Sequence, residues 1–270
     1  MSAGPMSAAA GIPFVKANAC GNDFLLIDGM HAPADLPAFS KRICDRRTGV
    51  GADGVEWLFP DPQNQADVRA RLFNADGSEA EISGNGTRCV AAHWIAEHGG
   101  EQAMVRTGAG IKRCRLTSRS GQRFTFETDM GEPQVGEPLS IKVAFGEVKG
   151  IPVSMGNPHF VVFVEQFTPG WQAEAAEIGR HHDFKYSINV EFVRLKNEYV
   201  VEARFFERGV GETQSSGTGS CASAVAAISA GKCKSPVEVI TPGGVQTVRW
   251  EGSVLLRGDA QLVYRGEFFI

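Results

Sequence analysis

The chain has 270 residues, enough for one large domain or two of medium size. Its 43% hydrophobic and 21% charged residues are ordinary for a globular protein, and a net charge of −4 argues against the clustered basic surface that nucleic acid requires. No run of about 18 apolar residues occurs, so no membrane-spanning helix is predicted and a cytoplasmic protein is expected.

In chain order, residues 1–11 are rich in Ala, Ser, Gly and Pro and lack the basic start and long apolar core of a signal peptide. They read as a disordered leader, or as a remnant appended to the natural chain, outside the fold. Gly21-Asn22 precedes an apolar run at Phe24–Ile27. Val68–Phe73 alternates as a half-buried strand does. A polar loop leads to Ser83-Gly-Asn-Gly, which opens an Ala-rich apolar helix through Cys89–Ala96 ending at Gly99-Gly100. Phe124–Thr128 is a further strand. Gly156-Asn157 precedes a strand at Val161–Val164, and Val201–Phe206 alternates again. Ser216-Gly-Thr-Gly then opens a second apolar helix, Cys221–Ile228, ending at Gly231. Strands at Val237–Thr241 and Val254–Leu256 close the series. The six cysteines contain no CxxC pair and read as free thiols in a reducing compartment. Cys89 and Cys221 fall inside the helices, where buried packing is expected. Cys20 abuts Gly21-Asn22.

The chain repeats itself once. Val68-Arg-Ala-Arg-Leu-Phe matches Val201-Glu-Ala-Arg-Phe-Phe, and Glu79 and Ser83-Gly-Asn-Gly match Glu212 and Ser216-Gly-Thr-Gly, all 133 positions apart. Gly21-Asn22 and Gly156-Asn157 agree at an offset of 135. An offset near half the length means two copies of one unit, not a solenoid. The class is therefore α+β: two pseudo-symmetric domains, each a curved, mostly antiparallel sheet wrapped around a central apolar helix. The expected division is 12–130, joined by the tail 262–270, and 131–261.

A Gly-rich loop running into a helix offers free N–H groups and the positive end of the helix dipole, which together attract an anion. Either loop alone could be a simple helix cap. Two matched loops facing each other would hold a small carboxylate with a side chain on either face of one carbon. That is what inversion of configuration needs, since one group removes a proton and the other delivers one.

Six motifs together resemble the diaminopimelate epimerase family: Gly21-Asn-Asp-Phe24, Gly51-Ala-Asp-Gly54, Phe73-Asn-Ala-Asp-Gly-Ser-Glu79, Ser83-Gly-Asn-Gly-Thr-Arg-Cys89, Ser154-Met-Gly-Asn-Pro-His159 and Glu207-Arg-Gly-Val-Gly-Glu-Thr213. The likeness runs from about Phe14 to the C-terminus. It implies interconversion of LL- and meso-2,6-diaminopimelate, for lysine and peptidoglycan synthesis, without cofactor or metal. The implied partner is a small diamino dicarboxylic acid, and homodimers are common in the family. The implied substrate contacts are Asn22, Asn74, Asn157, Asn189, Glu207, Arg208 and the loop amides of Gly84, Asn85, Gly217 and Thr218. Arg208 can grip a distal carboxylate with two parallel bonds, while Glu207 and Asn oxygens can accept from ammonium groups. For each Asn taken singly, a turn residue is the simpler reading.

One departure concerns the chemistry. The family places cysteine before both glycine motifs; here Ser83 and Ser216 stand there. A thiol titrates near pH 8.5 and is readily lowered at a helix N-terminus. A serine hydroxyl needs a neighbouring base. Three explanations are open: deliberate replacement of both cysteines, a branch that uses another base, or a homologue that binds without turnover. His159 is the first candidate base, followed by the matched Glu79 and Glu212. A lyase or isomerase on the same scaffold is the competing enzyme reading.

Overall fold

The computed structural model describes residues 11–269. The expected leader lies outside the described residues except for Gly11, which already belongs to a strand and pairs with Phe269. The first half runs β1 (Gly11–Ala19), β2 (Asn22–Asp28), a single 3-10 turn, α1 (Leu36–Cys44), β3 (Gly54–Phe59), β4 (Val68–Asn74), β5 (Glu79–Ala80), α2 (Gly84–His98), β6 (Gln102–Thr107), β7 (Gly110–Ser120) and β8 (Arg123–Gly131). Two connecting strands follow, β9 (Gln134–Val135) and β10 (Leu139–Val143). The second half runs β11 (Gly146–Ser154), β12 (Pro158–Phe163), α3 (Trp171–Gly179), β13 (Asn189–Asn197), β14 (Val200–Glu207), β15 (Gly211–Thr213), α4 (Gly217–Ser229), β16 (Val237–Thr241), β17 (Gly244–Glu251) and β18 (Ser253–Phe269).

The two halves pair their strands alike. In the first, β2–β3 and β4–β6 are parallel and the remaining pairs are antiparallel. In the second, β12–β13 and β14–β16 are the parallel pairs. The ring β1-β2-β3-β4-β6-β7-β8-β18 closes on itself through β18–β1. It is an eight-stranded barrel, narrow enough for side chains to fill. The second sheet curls the same way around α4, with β9 pairing back onto β11. β8 and β18 lie antiparallel and belong to both sheets. Residues 254–257 of β18 also pair with β17, and residues 261–269 pair with β1.

Each sheet encloses the helix predicted from the repeat. In α2 every residue from Gly84 to Ala92 is buried, and in α4 every residue from Gly217 to Ala227. Helices this small and apolar on all sides belong in an interior, where Ala and Gly let strands approach closely. Cys89, Val90 and Ile95 pack on Phe124, Phe126 and Leu72, while Cys221, Val225 and Ala226 pack on Val201, Phe205 and Leu256.

Two helices were not foreseen. α1 and α3 lie on the outer faces of the two sheets, with Phe39 and Ile43 against Trp57 and Ile27, and Trp171 and Ile178 against Phe160 and Phe192. α1 is only nine residues long and starts on Asp35, which accepts from the N–H of Ala38 at 3.0 Å. The strand expected at Val254–Leu256 proves to be part of the 17-residue β18. Among the described residues no helix is long and apolar enough to cross a membrane.

Candidate active site

The two Gly-rich loops meet. Ser83 caps α2, its Oγ accepting from the N–H of Gly86 at 3.0 Å. Ser216 caps α4 in the same way, with Gly219 N–H at 3.1 Å. A β-carbon on Gly84 would stand 3.1 Å from Gly217 Cα, and one on Gly217 only 2.8 Å from Gly84 Cα. The helices therefore touch N-terminus to N-terminus, backbone against backbone, a contact only glycine permits. Two positive helix ends converge on one point, where an anion is favoured.

Above this contact opens a cleft of about 640 Å³. Twelve of the thirteen site residues read from the sequence line it: Ser83, Gly84, Asn85, Ser216, Gly217, Thr218, Asn22, Asn74, Asn157, Asn189, Glu207 and Arg208. The thirteenth, His159, does not. It is 1% exposed on β12, behind the wall. Its Nε2 lies 3.0 Å from Asn157 Oδ1 and its Nδ1 2.6 Å from Glu191 Oε1. The histidine thus reaches the cleft only through Asn157, whose Nδ2 donates to Thr218 Oγ1 at 3.3 Å. The other two base candidates sit at the rim with partners already engaged. Arg71 holds Glu79 with two bonds of 2.8 and 2.9 Å, and Gln172 donates to Glu212 at 2.9 Å.

The asparagines are fixed by their neighbours. Asn85 Nδ2 donates to Asn22 Oδ1 at 2.6 Å and to Ser215 Oγ at 2.8 Å, while Asn85 Oδ1 accepts from Arg88 and from Gln246 at 3.1 Å. Arg88 is fully buried and also donates to Gly84 O at 3.1 Å. No carboxylate pairs with it among the described residues, so its charge adds to that of the helix ends. Asn22 Nδ2 donates to Asp53 at 3.2 Å. Behind it Asp23 is held at about 2: burial would raise it, but the bonds from Arg46 and Lys16 outweigh burial. Asn189 Oδ1 accepts the N–H of Arg208 at 2.9 Å. The Arg208 side chain is exposed, touches only the Tyr186 carbonyl at 3.3 Å and faces no carboxylate among the described residues. It is free to take one from solution.

The serines have different surroundings. Glu207 borders Ser216 and accepts from Thr213 Oγ1 at 2.6 Å; burial pushes its carboxyl up, against the two hydroxyls that lower it. The place matching Glu207 in the first half is Asn74, which donates instead to Ser78 at 3.0 Å. Cys89 and Cys221, inside the central helices, offer no substitute. Burial raises Cys221 to about 12 and Cys89 well above the ordinary thiol range, so neither holds a thiolate at neutral pH.

Two buried glutamates escaped the sequence reading. Glu56 on β3 and Glu191 on β13 are 135 positions apart, the same offset as the two Gly-Asn pairs. A β-carbon on Gly86 would collide with Glu56 Oε1 and stand 3.2 Å from Ser83 Cβ. On Gly219 it would lie 2.9 Å from Glu191 Oε1 and 3.0 Å from Ser216 Cβ. A carboxyl thus lies under the first turn of each central helix, the turn that each serine caps. An acid inside an apolar strand, repeated at the internal offset, was the available signal.

The family described as diaminopimelate epimerase matches residues 14–136 and 151–263. The diaminopimelate epimerase of Moorella thermoacetica is 39% identical over 277 residues, covering 94% of this chain and 98% of its own. That of Sphingopyxis alaskensis is 39% identical over 269 residues, covering 94% and 96%. Among solved structures, a hydroxyproline epimerase from Agrobacterium vitis superposes with a TM-score of 0.75 at 18% identity, over 95% of this chain and 90% of that one. At that identity the superposition speaks for the fold.

Proposed function

The chain belongs to the diaminopimelate epimerase family, and on that premise we propose that it interconverts LL- and meso-2,6-diaminopimelate by two-base proton transfer, with Ser83 and Ser216 on opposite faces of the α-carbon. The observation that carries this reading is the contact of Gly84 with Gly217, which brings the two capped helix ends to the floor of one cleft. The reacting carboxylate binds the loop N–H groups there. As the α-proton leaves, the electron pair of the C–H bond spreads into that carboxylate, and both helix ends stabilise the charge. At Ser216 the proton acceptor is Glu207, which lines the same cleft: Ser216 takes the α-proton as Glu207 takes the hydroxyl proton. His159 orients Asn157 from behind. The reaction needs no cofactor and supplies a precursor of lysine and peptidoglycan.

The test is exchange of the α-hydrogen of LL-diaminopimelate in heavy water, with calorimetric binding alongside. Binding with exchange is expected. Failure to bind overturns the substrate assignment, and binding without exchange overturns the activity. Arg208 yields a further expectation. Replacing it by Met removes a charged clamp on the non-reacting carboxylate, worth about 1.5–3 kcal/mol. Steady-state kinetics should show KM rising about 10- to 100-fold with kcat changed far less, since that contact is equal in ground and transition states.

A further inference from the structure

Ser216 has an acceptor in the cleft, and Ser83, with Asn74 at the matching place, does not. Yet a second carboxyl lies under the turn that Ser83 caps. Glu56 is 3% exposed, and its Oε1 presses against Gly86, in the turn that Ser83 caps. Its counterpart Glu191 is occupied by His159 at 2.6 Å. Glu56 has no ion-pair partner among the described residues, and no hydrogen bond or charge offsets its burial, which raises it to about 8. Across the neighbouring strands it faces Leu26 and Leu72; from α2 the titratable group nearby is the Cys89 thiol. An unpaired buried carboxyl is costly, and the fold gives it no structural partner in return.

We propose that Glu56 is the proton-holding partner of Ser83, passing a proton through the Ser83 hydroxyl to the α-carbon and recovering one by the same route in reverse. In the forward step the Ser83 O–H bond breaks as the new C–H bond forms from the carbanion's electron pair. Ser83 Oγ, which in this structure accepts from the Gly86 N–H, turns toward the carboxyl below and takes the Glu56 O–H proton, so serine stays neutral and Glu56 is left as a carboxylate. Glu56 acts through Ser83 and does not touch substrate. This rests on the epimerase reading above.

At neutral pH a carboxyl titrating at about 8 is protonated, so the stored proton is present below that pH and lost above it. The experiment compares the unsubstituted full-length chain with Glu56→Gln and Glu56→Leu. It measures diaminopimelate affinity, α-hydrogen exchange, the pH profile of kcat/KM and Tm. The expected result is unchanged affinity, inversion slower by about 10²–10⁴-fold, and loss of the alkaline fall near pH 8 that the unsubstituted chain should show with the epimer whose α-carbon Ser83 protonates. Tm should hold or rise in Glu56→Leu, which keeps the test open should Gln impair folding. Inversion persisting at full rate in either variant, or slower inversion with the alkaline fall intact, overturns the role of Glu56 alone. An unsubstituted chain that does not exchange overturns the epimerase reading and this proposal together.

Discussion

Replacing Ser83 by alanine should abolish interconversion while leaving diaminopimelate bound, and Ser216→Ala should do the same with the opposite stereochemical residue. Each serine serves one face of the α-carbon. Without Ser83, the Ser216 face can still remove a proton from one epimer and return deuterium from heavy water to the same face. Ser83→Ala should therefore exchange one epimer without inverting it, and Ser216→Ala the other. Inversion should fall by about 10²–10⁴-fold in both. Chiral chromatography with mass detection of deuterium resolves the outcomes. Loss of exchange from the same epimer in both variants would sink the two-face assignment. Binding should survive, because the anion is held by backbone N–H groups that alanine leaves in place. Losing the cap itself costs only about 1 kcal/mol of stability.

The second large effect concerns the point where the helices touch. Gly217→Ala puts a methyl group 2.8 Å from Gly84 Cα, with backbone on both sides and no flexible side chain to yield. Relief requires moving α4 away from α2, costing about 1–3 kcal/mol of stability. It also separates the serines, and a misplacement of about 1 Å can cost about 100-fold in rate. Gly84→Ala, at 3.1 Å, should be milder in both respects. Thermal unfolding and kcat together measure the pair. A Gly217→Ala protein as stable and as fast as the parent would contradict the close approach on which the site depends.

Much of this arrangement was legible because the chain states it twice. The offset of 133 placed Ser83 and Ser216 at equivalent loops and marked two unusually apolar helices as central. Both are so in the structure, since strands on every side leave those helices no polar face. The strands at Val68–Phe73 and Val201–Phe206 were readable because each exposes one face. What was missed obeys other physics. α1 and α3 are short outer helices settled by packing on Trp57 and Phe192 and not by a long periodic pattern. The length of β18 depends on pairing with β1 and β8, residues more than a hundred positions away, which local alternation does not reveal. His159 was read as a cleft residue from its place after Asn157-Pro158. But successive residues of a strand face opposite sides, and β12 turns it inward. Glu56 belongs to a short strand that the sequence reading did not identify, so its burial was not legible.

The antiparallel pair β8–β18 is shared by both sheets, and this bears on how the chain reaches its native state. The barrel around α2 lacks a wall until β18 arrives, so residues 11–131 emerging first during synthesis cannot close around their own helix. The contacts that finish the first half span nearly the whole chain, a topology that slows folding and couples the halves into one cooperative unit. The cleft is thus assembled last, when the final strand locks both sheets in register, and no half-formed chain presents the two serines to a substrate.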